Sequence, residues 1–419
     1  MIQYNHFTLD NGLQVVVHED STTPMAAVNM LYNVGARDEN PDATGLAHLF
    51  EHLMFEGSEN VPHFDDVLQM AGGVNNAFTS NDITNYYNIL PANNLETAFW
   101  LESDRMANLT LDAEKVDVQK KVVIEEFKES HLNQPYGDVI HILSGLAFKV
   151  HPYQWPTIGK DMSHIEQVDE TMARKFFNTF YRPNNCILSV GGNVTTEEVK
   201  KLANHWFGDI PSGDVPEKDF PKEPPQEEPR VLDHKAEVPL HAIFKTYHMS
   251  DRLSNGFYKA DLLSDILSNG ASSRLYQHLV KDRSLFTDIN AQITGTLDEG
   301  LFIVEGRLND GISIEEGGKA IDEELDRIKE DGIEEEELEK VRNKMESSLA
   351  MEEVNLLNKV FGLAYFTLLG DAAMYNQELA SYKQFTTHDL QEEAKGLFHP
   401  NNCSTLHYYA NSEANPQDN

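Results

Sequence analysis

His48, Glu51 and His52 lie within five residues of one another in a stretch that is otherwise strongly apolar, with Leu46, Leu49, Phe50, Leu53, Met54 and Phe55 around them. On an α-helix, residues three and four positions apart are neighbours on one face. A helix here therefore brings two imidazoles together and points a carboxylate into the same space. Two neutral imidazoles are good ligands for Zn²⁺. A carboxylate beside a metal-activated water can take its proton as the water attacks a carbonyl. An apolar helix does not readily carry three polar side chains without partners, and a metal ion would satisfy two of them at once.

A catalytic zinc commonly has three protein ligands and one open position. The third must come from another element. Residues 116–130 read as a helix, because Val116, Val123 and Phe127 recur at helical spacing with lysines and glutamates between them. Glu125 and Glu126 sit in the middle of it, and periodicity alone does not choose between them. The elements that must carry such a site alternate strands with long helices. Residues 7–18 read as two strands around the turn Asp10-Asn11-Gly12, and 26–34 and 84–90 read as further strands.

The segment 45–57 resembles the active-site helix of the pitrilysin-type zinc peptidases, the H-x-x-E-H or inverzincin group, and in particular the bacterial relatives of the mitochondrial processing peptidase. Nearly the whole chain shares the likeness. Asn11-Gly12-Leu13 is similar to the family's opening strand. Residues 72–80 and 84–87 resemble its substrate-edge strand, and His151-Pro152-Tyr153-Gln154-Trp155-Pro156-Thr157-Ile158-Gly159 and Tyr181-Arg182-Pro183-Asn184-Asn185 resemble two further signatures. The resemblance implies that the third ligand is Glu126, which lies 74 residues after His52. It implies Asn76 and Ala77 as edge positions that bind substrate backbone by strand addition. Seven residues before that ligand the family often has another Glu, where this chain has Gln119.

The chain of 419 residues is long enough for two domains. Pro183-Asn184-Asn185-Cys186 recurs as Pro400-Asn401-Asn402-Cys403, an offset of 217. A helix at 258–269 ends at Gly270 much as the first ends near Gly57, an offset of 213, which sets His48, Glu51 and His52 against Asp261, Ser264 and Asp265. The second half repeats the scaffold without the ligands. Six prolines in residues 211–229 read as a stiff linker. The expected division is thus a zinc-binding catalytic domain at 1–210, a linker at 211–229 and a degenerate repeat at 230–419. The fold class is α+β, two similar sheet-plus-helix domains. The resemblance adds that they face each other across a cavity.

The 69 acids against 33 Lys and Arg disfavour nucleic acid as a partner. Runs such as 334–337 read as solvated helix starts. No apolar stretch reaches the ~20 residues that span a bilayer. Residues 1–6 lack the basic region and apolar core of a leader, and two Cys suit a reducing compartment, so the expected location is the cytoplasm. Cys186 and Cys403, at the starts of apparent strands, read as buried core residues.

These features give a zinc endopeptidase acting on extended peptides, with Glu51 as general base and His48, His52 and Glu126 as ligands. The other class is a non-catalytic structural or peptide-binding relative, but structural core subunits of this family have lost the zinc motif, which is intact here. One departure implies a partner. Many relatives carry an Arg and, seven residues later, a Tyr after a Ser-Ser-Arg-Leu-Tyr signature. That signature is residues 272–276 here, yet Val280 and Thr287 occupy the two positions. The resemblance then implies a heterodimer whose other subunit supplies both, with Lys281 or Arg283 as local substitutes in the rival reading.

Overall fold

The structure is a computed structural model, and it describes residues 1–411. Residues 412–419 of the expected second domain lie outside the described residues. The chain forms two compact units. The first comprises Met1–Glu129, Trp155–Phe220 and Leu349–Glu378; the second comprises Ser130–Gln154, Pro221–Ser348 and Leu379 to the end of the described residues.

In the first unit a six-stranded sheet has the order β1-β2-β6-β3-β5-β4. Its strands are β1 (Asn5–Thr8), β2 (Gln14–Glu19), β3 (Met25–Tyr32), β4 (Val74–Thr79), β5 (Thr84–Pro91) and β6 (Cys186–Gly192). The turn signal at 10–12 joins β1 to β2 as an antiparallel pair, with Gly12 at φ 88°. That left-handed conformation suits glycine. The helices are α1 (Leu46–Leu53), α2 (Phe64–Met70), α3 (Leu95–Asn108), α4 (Ala113–Phe127), α6 (Met162–Glu166), α7 (Glu170–Phe180), α8 (Thr196–Phe207) and α12 (Leu356–Leu368).

Alternation along β3 sends Val28, Met30 and Tyr32 into the main core under α1, and Leu31 into a second core with Leu363 and Ala364 of α12. Both faces of β3 are covered, which explains its almost continuously apolar sequence. Gly191 lets α12 approach: a Cβ there would lie 2.6 Å from Val360 Cγ2.

The second unit has a five-stranded sheet of order β7-β11-β8-β10-β9. The strands are β7 (Arg230–Ala236), β8 (Ala242–Met249), β9 (Phe286–Ile293), β10 (Gly300–Leu308) and β11 (Cys403–Ala410). With it go α5 (Val139–Ala147), α9 (Asn255–Ser268), α10 (Ile314–Asp331), most of α11 (Glu335–Glu352), α13 (Glu378–Lys383) and α14 (Thr387–Leu397).

The duplication is visible in the topology. β6 lies between β2 and β3, parallel to the first and antiparallel to the second; β11 lies likewise between β7 and β8. The repeated Pro-Asn-Asn-Cys explains itself. Asn185 Nδ2 donates to Phe180 O at 2.9 Å, and Asn402 Nδ2 donates to Leu397 O at the same distance. Each asparagine thereby ties the end of a helix to the start of a central strand.

The expected break within 211–229 contains the change of unit at Phe220/Pro221, but each unit also takes a segment from across it. Residues 130–154, with α5, pack on the second sheet, where Leu143 joins Phe244, Leu406 and Tyr408. Residues 349–378, with α12, pack on the first. The cause is that each sheet needs an apolar cover, and the helix that supplies it comes from the other half of the sequence.

Candidate active site

α1 has no side-chain N-cap, because Gly45 occupies that position in a left-handed conformation at φ 91°. Glu39 does the work from outside the helix. Its Oε2 accepts from Gly45 N and its Oε1 from Ala47 N, both at 2.8 Å. Glu39 is buried, and burial pushes its carboxyl up to about 8 against the opposing pull of those amides. Thr44 Oγ1 accepts from Lys160 N at 2.7 Å and lies 2.9 Å from His164 Nδ1. Trp155 Nε1 donates to Ala36 O at 3.0 Å. Residues 155–165 thus clamp the segment that leads into α1. On the other side Tyr86 donates to Phe50 O, and the Tyr181 ring packs on Phe50 at 5.4 Å. The signature segments surround α1 and fix its position.

α4 starts on Asp112, whose side chain accepts from Lys115 N. It buries Val116, Val123 and Phe127. Glu126 borders that stripe, while Glu125 turns outward to Lys128 at 2.7 Å. Glu126 Oε1 stands 3.6 Å from His48 Nε2, and its Oε2 stands 3.4 Å from His52 Nε2. The His48 and His52 rings are 4.9 Å apart, edge to face. The ligand atoms of all three lie within 4.8 Å of one another, and among the described residues this is the one such cluster. Two donors at ~2.1 Å from a tetrahedral ion stand about 3.4 Å apart, so the observed separations fit a single zinc-sized ion. The Glu126 carboxylate beside it raises the His52 imidazole above its ordinary value, with a smaller contribution from Glu51.

Glu51 Oε2 accepts from Thr79 Oγ1 at 2.7 Å. Thr79 is the last residue of β4, the edge strand of the sheet. Asn76 and Ala77 lie on the same strand, opposite Tyr87 and Tyr86 of β5. The Ala77 N–H donates to Asn76 Oδ1 at 2.9 Å. Gln119 donates to Glu56, just beyond α1, and lies near enough to His52 to add slightly to the rise of its imidazole. It therefore stands between His52 and a carboxylate just past the end of α1.

In the second unit Asp261, Ser264 and Asp265 lie on α9, where the Asp261 carboxylate accepts from Tyr382 and the Ser264 hydroxyl donates to Asp261 O. Thr287 Oγ1 donates to Asn309, Lys281 to Gln277 at 3.2 Å, and Arg283 to Glu323 at 2.9 Å. Cys186 and Cys403 are free and buried, and burial raises the Cys186 thiol far above its ordinary range.

Three residues at the site were not singled out from sequence. Thr79 could have been found from strand alternation with Ala77. Glu39 and Glu56 act through space and leave no local pattern.

Residues 14–161 match the family model described as Insulinase (Peptidase family M16), and residues 167–345 match that described as Peptidase M16 inactive domain. The zinc protease PqqE of Helicobacter pylori is 32% identical over 346 residues, 81% of this chain and 78% of that protein. YmxG of Bacillus subtilis, an uncharacterized zinc protease, is 25% identical over 348 residues, 82% of this chain and 83% of its own length. The crystal structure of a protease from H. pylori matches with a TM-score of 0.91 at 27% identity, covering 98% of this chain and 100% of that one. The convergent histidines and carboxylates of the first unit, the degenerate second unit and these likenesses together show that the chain belongs to the M16 peptidase family, the insulinase and pitrilysin group.

Proposed function

We propose that this chain is a zinc-dependent endopeptidase that hydrolyses unfolded or extended peptides. The observation that carries the reading is the convergence of His48, His52 and Glu126 on one point, with Glu51 on the same helix. Zinc held by those three side chains would supply Lewis acidity to the reacting carbonyl and water. Glu51 takes a proton from the attacking water and returns it to the leaving amine. Thr79 holds one Glu51 oxygen and so leaves the other for the water. The open edge of β4 offers backbone groups to an extended peptide, and Asn76 and Ala77 stand where they would meet it. A peptide that binds this way displaces the Asn76 side chain from the Ala77 N–H. The free, buried thiols favour a reducing compartment, the cytoplasm.

The same reading makes the chain the zinc-bearing member of a heterodimer. Val280 and Thr287 cannot replace the donors of a guanidinium or a phenol near a developing oxyanion. Lys281 and Arg283 are engaged with Gln277 and Glu323. The mitochondrial-processing peptidase subunit beta of Caenorhabditis elegans, itself named as a subunit, is 28% identical over 209 residues, 49% of this chain. Zinc analysis together with cleavage of a mixed peptide library, with and without candidate partner chains, tests the reading. Zinc binding with no hydrolysis under any of these conditions contradicts it.

A further inference from the structure

We propose that the cavity between α2 and the start of β4 is a subsite for a basic side chain, lysine or arginine, about four residues from the cleaved bond. The proposal rests on the peptidase reading above. The cavity has a volume of about 210 Å³ and is lined by Asp65, Leu68, Gln69, Gly73, Val74 and Asn75.

Its relation to Glu51 follows from strand geometry. Alternate β4 residues are more and less exposed, so Asn75, Ala77 and Thr79 share one face. Each end of that face is bonded to an acid. Thr79 Oγ1 donates to Glu51, and Asn75 Nδ2 donates to Asp65 Oδ1 at 2.7 Å. Four residues of strand separate the two, about 13 Å. A peptide added to the β4 edge has the same repeat. The residue that falls opposite Asn75 is therefore about four positions from the one opposite Thr79, and its side chain can point to the same face.

The chemistry of the cavity selects the occupant. Asp65 is exposed, and among the described residues it makes no ion pair. The Asn75 amide engages one of its oxygens and leaves the other for a ligand. Asp66 adds a second acid in the same helical turn. One side of the wall is apolar, made by buried Leu68 and by Val74, which is 62% exposed. A long aliphatic stem ending in a cation covers such a surface while its head meets the carboxylate. Gly73 keeps the wall open, since a Cβ there would lie 2.6 Å from Leu68 Cδ1. The net charge of −36 adds a long-range attraction for basic peptides.

The test maps cleavage sites in a random peptide library by mass spectrometry, using the zinc-loaded full chain with its partner subunit where turnover requires one. Lys and Arg should be enriched at one position about four residues from the cut, with kcat/KM about fivefold to tenfold above the alanine peptide. Asp65→Asn should flatten that preference, and Asp65→Lys should reverse it toward Glu and Asp. Cleavage without a positional preference, or a preference that survives Asp65→Lys, overturns the subsite and leaves the peptidase reading intact. If no peptide is cleaved, the peptidase reading fails by itself. Anisotropy with labelled lysine-containing and alanine-containing peptides then decides the subsite: tighter lysine-peptide binding lost in Asp65→Lys supports it, and equal binding refutes it.

Discussion

Thr79 Oγ1 donates to Glu51 Oε2 at 2.7 Å, joining the last residue of the edge strand to the carboxylate between His48 and His52 on α1. The strand that would receive a peptide and the group that would accept a proton are thus held in one frame. A carboxylate fixed by one hydrogen bond has fewer orientations to lose when it acts. Replacing Thr79 by Val removes the donor and keeps the β-branched shape. The expected outcome is a fall in kcat of about tenfold, ~1.4 kcal/mol, with KM nearly unchanged and metal content intact. Thr79→Ser should recover most of the rate. A Val variant with wild-type kcat would show that the bond plays no part.

The ligand set is tested by metal analysis. His48→Ala, His52→Ala and Glu126→Ala should each reduce the zinc content from about one per chain to near zero, while Glu125→Ala leaves it unchanged, because Glu125 faces Lys128. Acid should release the metal, because the ligand imidazoles must be neutral to bind. Full occupancy in any of the first three variants removes that residue from the set.

Glu39 gives a pH signature. Its carboxyl is pushed up to about 8 in the folded chain, above the unfolded value of about 4.3. A raised pKa means the folded state favours the protonated form. The contribution to stability is therefore complete below about pH 4 and is lost as pH rises toward 8. Glu39→Gln cannot ionise, so its stability should decline less than that of the wild type between pH 5 and 8.5, by on the order of 3 kcal/mol. Denaturant melts at a series of pH values measure this directly, and parallel curves for the two proteins would contradict it.

The missing Arg and Tyr lead to a reconstitution experiment. The purified chain should bind zinc yet cleave peptides slowly. Adding a homologous subunit that lacks H-x-x-E-H but carries the Arg and Tyr should raise kcat/KM by about a hundredfold or more, the scale of losing an oxyanion donor. Full activity from this chain alone would remove the need for a partner.

Much of the first unit was legible because its signals are local. The turn at 10–12 marks the first strand pair, and α1 declares itself by three polar groups at helical spacing on an apolar stretch. The repeated Pro-Asn-Asn-Cys marks the duplication, because both copies need the same asparagine bond at the entry to a central strand. The periodicity of α4 left Glu125 and Glu126 open, since adjacent residues on a helix differ by only a fraction of a turn; packing of Val123 and Phe127 turns Glu126 toward the histidines. The exchange of α5 and α12 between the units was not legible. An apolar helix face announces that it will be covered, but not by which sheet. Glu39 was hidden for a related reason: a glycine at the start of α1 leaves its amides in need of an acceptor, and nothing local says where that acceptor comes from.

The measurement that bears most directly on the account is paired zinc content and peptide hydrolysis for Glu51→Gln beside the wild type, both assayed with the partner subunit present. Gln is isosteric with Glu, can still accept from Thr79 and cannot take a proton from water. The account predicts about one zinc per chain in both proteins and a loss of at least a thousandfold in kcat for the variant. Hydrolysis by the variant at the wild-type rate, with zinc retained, would contradict the claim that Glu51 is the general base of a zinc peptidase.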